Sequence, residues 1–426
     1  MKIAVWGSEL IGWTAATAFA EFGNQVHINQ TPESKQSLGE QSEPNSILFN
    51  EPGLLSHVKA QYDLDNLTFG DPDAALECQI QILALHPDQF PLAKTIIQRV
   101  NQQSQSQQLV VINYSTFGLG ATDELAALLD AGKQQAIAYI PDQLSEGSAY
   151  DNFIKAKTLV IGCQSNEANK IIKALYKPFS RSLEQMMIVK RREAEFMKFA
   201  VNGMLALRLG YINELANLAD LLNIDIDTIT AGMGSDPRIG KHYLAPGCGF
   251  GGAHFSKSIQ NMAELLKTNR NSIILNTLLE ENEKQKVLPF RKLWRHYKSD
   301  VSNLKVAVWG LSFKPNTASI QNAPSLQVVE TLLAQGCKVH AHDPQAMMNF
   351  AKRFPSDGRI VYYNNPIETL KDVDALIILT EWNEYWSPDY YQMLEMMKNP
   401  VIIDGRNIMD KELMDSFGFV YYGVGR

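Results

Sequence analysis

Apolar and polar positions alternate along this chain in a pattern that repeats. Lys2-Ile3-Ala4-Val5-Trp6-Gly7 is a short apolar run of buried-strand length, followed by helical spacing, a glycine and a second run at Gly23-Asn24-Gln25-Val26-His27. The succession returns near the other end as Lys305-Val306-Ala307-Val308-Trp309-Gly310 and Gly336-Cys337-Lys338-Val339-His340. A strand, a turn at glycine, a helix and a parallel strand form the βαβ unit of a doubly wound sheet, so the repeat predicts one such domain at each end. Runs at Ile80–Leu85 and Leu109–Ile112 predict further buried strands, with their C-terminal ends lining the crevice of the first domain. Between the repeats, Phe196, Phe199, Gly203, Leu207, Tyr211, Leu215, Leu218 and Leu222 recur at helical spacing within residues 191–223. That stripe predicts a helix on the order of 50 Å long, more than one small domain needs, which spans the domains and packs against a second copy of the chain.

The fold class expected is therefore α/β, with two doubly wound Rossmann-like domains joined by a long central helix. The expected domains are 1–190, 191–298 and 299–426. With 426 residues, 45% hydrophobic and 20% charged, the chain has the composition of an ordinary globular protein. A net charge of -7 argues against nucleic acid or an anionic membrane as the main partner. The chain enters its first strand without a signal-peptide pattern and holds no apolar run of about 18 residues, so a cytoplasmic location is expected. Cys78, Cys163, Cys248 and Cys337 are far apart with no C-x-x-C pair, as suits a reducing compartment. The glutamine-rich residues Gln102 to Gln108 predict a solvated connection.

Four stretches carry candidate chemistry. In Pro246-Gly247-Cys248-Gly249-Phe250-Gly251-Gly252-Ala253-His254-Phe255-Ser256-Lys257-Ser258, four glycines within six residues imply a sharp bend or a close approach, as for a phosphate or sugar ligand. Gly7-Ser8-Glu9-Leu10-Ile11-Gly12 is a dinucleotide turn whose middle glycine is replaced by Glu9, placing bulk and charge where a pyrophosphate sits. Like charges about 4 Å apart at an effective dielectric near 20 cost roughly 4 kcal/mol, about a thousandfold in affinity. The carboxylate expected on the ribose is missing from His27-Ile28-Asn29-Gln30-Thr31, where Gln30 aligns with Asp343 of the second copy. Asp142 and Glu146, four residues apart, would share one face of a helix as paired carboxylates, or form a solvated pair. His242, Cys248 and His254 lack a ligand spacing, and no metal is expected.

Over nearly its whole length the chain resembles the UDP-glucose/GDP-mannose 6-dehydrogenases. Their glycine loop reads P-G-x-G-F-G-G-x-C-F-P-K-D, against which His254 stands at the nucleophilic cysteine and Ser258 at the aspartate. Ser115-Thr116-Phe117-Gly118-Leu119-Gly120 resembles S-T-V-x-x-G, Ile140-Pro141-Asp142-Gln143-Leu144-Ser145-Glu146-Gly147 resembles N-P-E-F-L-R-E-G, and Glu193-Ala194-Glu195, Lys198 and Asn202 match E-A-E-x-x-K-x-x-x-N. Asp236-Pro237-Arg238-Ile239-Gly240 with Tyr243 resembles D-x-R-I-G…(F/Y)-L, and Leu311-Ser312-Phe313-Lys314 resembles L-x-F-K, whereas Gln321 replaces the arginine of D-D-x-R-E-S-P. The resemblance implies Thr116 as water-positioning residue, Glu146 as acid-base group, Lys198 and Asn202 as stabilisers of charge on the reacting oxygen, and His254 at the nucleophile position. It implies that Arg238, Tyr243, Gly249, Phe250, Gly251, Gly252 and Lys314 hold the substrate, and that Gly7, Gly12 and Gln30 face NAD. Family members oxidise the sugar C6 alcohol to a carboxylate with two NAD through a thiohemiacetal, as in the synthesis of polysaccharide precursors. An imidazole makes no thiohemiacetal. The expectation is a homodimeric homologue that binds a nucleotide sugar, UDP- rather than GDP-linked, with weak or absent NAD binding and lost or crippled oxidation. The alternative is an active dehydrogenase with His254 in place of the cysteine, stopping at the aldehyde or using His254 as a base with water.

Overall fold

The computed structural model describes residues 1–7, 9–29, 51–70, 72–103, 108–130, 132–179 and 184–426. Gln30, Thr31, Ser8 and residues 104–107 of the glutamine-rich connection lie outside the described residues. The chain divides into two compact units, Met1–Ala200 and Val201–Arg426.

The first unit is built on an eight-stranded sheet in the order β3-β2-β1-β4-β5-β6-β7-β8. Its strands are β1 (Lys2–Trp6), β2 (Gln25–Asn29), β3 (Leu67–Phe69), β4 (Ile80–Leu83), β5 (Gln108–Asn113), β6 (Gln134–Tyr139), β7 (Thr158–Gly162) and β8 (Gln185–Val189). All neighbours pair in parallel except β6 and β7. The first six strands thus follow the 3-2-1-4-5-6 order of a dinucleotide-binding sheet. Successive β1 residues serve opposite cores, Ile3 and Val5 one and Ala4 and Trp6 the other, because helices cover both faces. The run read as a strand to Leu85 ends as a strand at Leu83, after which Ala84 N still donates to Trp6 O at 2.8 Å and Leu85 N to Ser115 Oγ at 2.9 Å.

The second unit repeats the arrangement with β9 (Lys305–Trp309), β10 (Lys338–His342), β11 (Ile360–Tyr362), β12 (Ala375–Ile378), β13 (Val401–Asp404) and β14 (Val420–Tyr422). Their order, β11-β10-β9-β12-β13-β14, is the same, and every pairing is parallel. The expected repeat is therefore a repeat of topology as well as of sequence.

The long helix, Arg191–Leu222, has 32 residues, about 48 Å at a rise of about 1.5 Å each. The apolar stripe read from the sequence does not lie on one buried face. Phe199 and Gly203 are buried, while Phe196, Tyr211, Leu218 and Leu222 are exposed. Small residues are instead buried where elements come close, Ala206, Ala216 and Ala219 among them. Spacing set by the large side chains alone drifts around the helix, and Val201, Met204 and Leu221 join the exposed apolar set.

Candidate functional site

In the first unit the glycines that flank the β1 turn pack closely against Ala84. Gly7 has φ 112°, and a Cβ there would stand 2.0 Å from the Ala84 carbonyl oxygen. A Cβ on Gly12 would stand 2.9 Å from that of Ala84, so the first and last glycines are required for close packing. Glu9 sits at the N-cap of the Leu10–Glu21 helix with extended backbone (φ -67°, ψ 159°), a conformation open to any L-residue. Its main chain is thus unstrained, and what it changes is the side chain at the helix N-terminus. At the end of β2, Asn29 is 4% exposed, and neither side-chain amide atom has a hydrogen-bond partner among the described residues. A buried carboxamide of this kind is costly unless a ligand satisfies it. The residues present fit the nucleotide half of NAD at Gly7, Gly12 and Asn29.

Of the polar residues expected to act on substrate, Thr116 follows β5 and Glu146 follows β6, while Lys198 stands on the long helix. Thr116 is buried and hydrogen-bonded to the Tyr139 hydroxyl, whose pKa burial drives far up, with Asp142 adding to the rise. Lys198 from the long helix contacts Asp142 twice, its Nζ 2.5 Å from Oδ2 and donating to the carbonyl oxygen at 3.0 Å. The side chain of Lys198 is 9% exposed. Residues 141–145 are irregular rather than helical, so Asp142 and Glu146 do not share a helical face. The Asp142 carbonyl, which a helix would offer to the Glu146 N–H, accepts from Lys198 instead. Asp142 is spent on Lys198, and Glu146 is half-buried in a turn in which Ser148 N donates to Ser145 O at 3.0 Å. Gly147 takes φ 85° as the third residue of that turn.

Two buried carboxylates brace this region. Glu195 accepts from Gly120 N at 2.6 Å and Thr122 N at 2.9 Å, holding the loop after Thr116. Glu51 accepts from Gly147 N at 2.7 Å and Ala149 N at 2.5 Å, holding the Glu146 turn. Glu51 and Tyr139 went unsingled in the sequence because nothing periodic marks them. The turn residues of Glu51-Pro52-Gly53 were the available signal.

In the second unit the glycine loop is wedged into protein. A Cβ on Gly247 would lie 3.2 Å from Arg406, on Gly249 3.1 Å from Asn282, on Gly251 2.5 Å from the Asn322 carbonyl, and on Gly252 2.9 Å from the Phe313 ring. The glycines are therefore demanded first by protein packing. Asn282 exchanges two hydrogen bonds with the Phe250 backbone (2.9 and 3.0 Å), and Asn213 and Gln285 hold Gly247. The Phe250 ring turns inward against Phe255, in the cluster of Ala206, Ile259 and Leu275. Lys314, half-buried, places Nζ 5.7 Å from the Phe313 ring that covers Gly252.

Arg406 lies beneath the loop. Its Nε donates to Leu379 O at 2.8 Å and stands 3.3 Å from Glu381 Oε2, and its Nη1 donates to Gly249 O at 3.3 Å. Among the described residues its Nη2 and the Glu381 Oε2 are buried without a hydrogen-bond partner. His254 is exposed in the first turn of the Ala253–Arg270 helix, and Ser258 is buried one turn on. Cys248 is the cysteine nearest to His254 in sequence. It is fully buried, and burial pushes its pKa up despite nearby Arg406. Asn202 is half-buried on the long helix. Arg238 is exposed and forked onto Asp236, whose carboxyl it holds below the usual range, while Tyr243 adopts φ 59° with its side chain exposed. Arg208 ties the Ile239 and Gly240 carbonyls, both at 2.9 Å. Among the described residues no three His, Cys, Asp or Glu side chains converge as a metal site, and no helix is long and apolar enough to cross a membrane.

Comparison with known proteins agrees across both units. Three family models match in succession: the NAD binding domain of the UDP-glucose/GDP-mannose dehydrogenase family over residues 1–180, its central domain over 192–284 and its UDP binding domain over 307–411. The chain is 32% identical to a UDP-glucose 6-dehydrogenase of Pseudomonas aeruginosa, covering 100% of this chain and 98% of that one. It is 31% identical to one of Bacillus subtilis, covering 100% and 93%. Among solved structures it resembles a UDP-glucose dehydrogenase of Pyrobaculum islandicum with TM-score 0.85 and 26% identity, covering 100% of this chain and 97% of that one.

Proposed function

The chain belongs to the UDP-glucose/GDP-mannose dehydrogenase family, and from that premise we propose that it binds a UDP-sugar while its oxidation to a uronic acid is lost or crippled. One loop carries this reading. At Gly252-Ala253-His254 an imidazole stands where the family pattern has its thiol, while beneath the same loop Arg406 keeps a buried, unpaired guanidinium nitrogen ready for a polar ligand. Without a thiol the covalent intermediate of the family reaction has no site to form. Lys198 is already neutralised by Asp142, so it gives less stabilisation to a developing oxyanion than an unpaired lysine would.

NAD, when bound, supplies the hydride acceptor. Gly7 and Gly12 would hold its pyrophosphate and Asn29 its adenosine half, with Glu9 repelling the phosphates. We assign Thr116 and Glu146 to the sugar, and Arg238, Tyr243, Lys314 and the glycine loop to the nucleotide diphosphate. Phe250 supports that loop from the inside. Val201, Met204, Tyr211, Leu218 and Leu221 leave an exposed apolar face on the long helix, which supports a homodimer through it. A monomer in light scattering would overturn that assembly.

The test of function has two arms, NADH formation with UDP-glucose and a thermal shift with UDP-glucose alone. Expected is a shift without NADH, and no NADH from His254→Cys alone, because Glu9 still opposes the cofactor. Steady NADH formation by the unmodified protein establishes an active dehydrogenase with His254 in the cysteine position. No shift with any UDP- or GDP-sugar sinks the binding claim.

A further inference from the structure

Glu146 belongs to the loop between β6 and the Ala149–Ile154 helix, and two contacts from distant sequence clamp that loop at its ends. Lys198 holds Asp142 at one end. At the other, Glu51 directs both carboxylate oxygens at the backbone, Oε2 to Gly147 N at 2.7 Å and Oε1 to Ala149 N at 2.5 Å. Glu51 is 7% exposed and lies 96 residues before Gly147. These are charge-assisted bonds made in a shielded place, the strongest kind available to a backbone donor. They fall on the residues just after Glu146, so they fix its Cα and the direction in which its side chain leaves the turn. Asn152 completes the frame by accepting from Ser145 N at 3.0 Å. The Ser148 side chain, at the N-cap of the following helix, makes no capping bond to it. Glu51 supplies that acceptor instead.

We propose that Glu51 is a positioning residue. It sets the Glu146 turn through the main chain, and through the turn it sets the affinity for the sugar half of a nucleotide sugar, leaving the nucleotide half untouched. The affinity claim rests on the reading above that the chain binds a UDP-sugar with Glu146 toward the sugar; the clamp itself does not. The chemistry explains why a carboxylate is needed. A carboxamide offers one acceptor oxygen and turns two N–H donors toward one of the two backbone N–H groups. Aspartate keeps the charge but is one methylene short.

The experiment uses the full chain with Glu51→Gln and Glu51→Asp, so that either variant serves if the other does not fold. Amide hydrogen exchange over residues 143–150 is compared with calorimetric titrations of UDP and of UDP-glucose. Expected are faster exchange at Gly147 and Ala149, unchanged UDP affinity and UDP-glucose binding weakened about tenfold, the factor given by roughly 1.4 kcal/mol. In a Glu146→Gln background, Glu51→Gln should add nothing further, since both act on one contact. Unchanged exchange at those amides overturns the clamp. Equal loss for UDP and UDP-glucose, or additive effects of the two substitutions, overturns the positioning role. If neither ligand binds the unmodified protein, the functional reading fails and the affinity claim falls with it, while exchange still decides the clamp.

Discussion

The two copies of the βαβ unit make the same turn and use it differently. Gly7 N donates to Asn29 O at 2.9 Å in the first copy, and Gly310 N donates to His342 O at 2.9 Å in the second. After this shared bond they diverge. In the second copy Asp343 is fully buried, and its Oδ2 accepts from Leu311 N (2.7 Å), Ser312 N (2.9 Å), Ser312 Oγ (3.0 Å) and Trp382 Nε1 (3.0 Å). Its Oδ1 accepts from Gln345 N and Ala346 N. The strand-end acid thus fills its own turn and takes the N–H groups that a phosphate would use elsewhere. In the first copy a glutamine holds the matching place in the sequence, and the neighbouring Asn29 amide is buried without a partner among the described residues. A shared sheet therefore does not imply a shared ligand site. One copy satisfies its turn from within, and the other leaves polar capacity for a ligand to satisfy.

The largest test of this contrast is Glu9→Gly. Removing the carboxylate from the first turn should strengthen NAD binding by up to about a thousandfold, the factor set by roughly 4 kcal/mol of like-charge repulsion. The unmodified protein should bind NAD more weakly than about 1 mM, a binding energy of roughly 4 kcal/mol. Micromolar binding in calorimetry before any substitution would show that Glu9 does not oppose the cofactor. Asp343→Asn addresses the other copy. One amide cannot accept from all six donors, and the change should lower stability by roughly 3 kcal/mol in chemical denaturation. It should leave NAD affinity unchanged. A neutral effect would mean that the second turn holds without its acid.

Topology was largely legible in the sequence, because apolar runs after glycine recur with the period of a βαβ unit. Packing at close quarters was not. The glycine loop reads as ligand-facing, yet Gly251 and Gly252 are needed against the Asn322 carbonyl and the Phe313 ring, both over sixty residues away in sequence. Asp343 reads as a ribose-type acid and proves to be an internal acceptor. Asp142 and Glu146 have helical spacing, but Pro141 opens an irregular segment and Lys198 captures Asp142. Glu51 escaped notice because its partners are main-chain N–H groups, which carry no residue signature. Family motifs marked Thr116 and Lys198 by position, and their partners Tyr139 and Asp142 emerge only from the fold.

A smaller effect follows from β10, where His340 and His342 both have pKa values lowered by burial. A folded-state pKa below that of the unfolded chain means that the unfolded state binds more protons in the intervening range. Stability from these two groups is therefore present above the usual histidine value of about 6.5 and is lost as pH falls below it. The melting temperature should decline between pH 7 and pH 5, and His340→Gln with His342→Gln should flatten that slope. An unchanged slope would assign the acid sensitivity to other groups.

The smallest expected effect bears most directly on why the two copies differ. Asn29 is 4% exposed with both amide atoms unpartnered among the described residues, whereas the matching His342 is 2% exposed and has Nδ1 at 2.7 Å from the Tyr385 hydroxyl. If the first copy keeps a polar group for a ligand, that group costs stability when no ligand is bound. Asn29→Leu removes the unsatisfied donor and acceptor at similar volume, and should raise stability by about 1 kcal/mol. In the Glu9→Gly background, where NAD binding is measurable, it should weaken that binding, because the cofactor then meets an apolar wall. Opposite signs in the two measurements are the mark of a site maintained at the expense of stability. Loss of stability on Asn29→Leu would mean that the amide serves the fold and that the first copy, like the second, satisfies its own strand end.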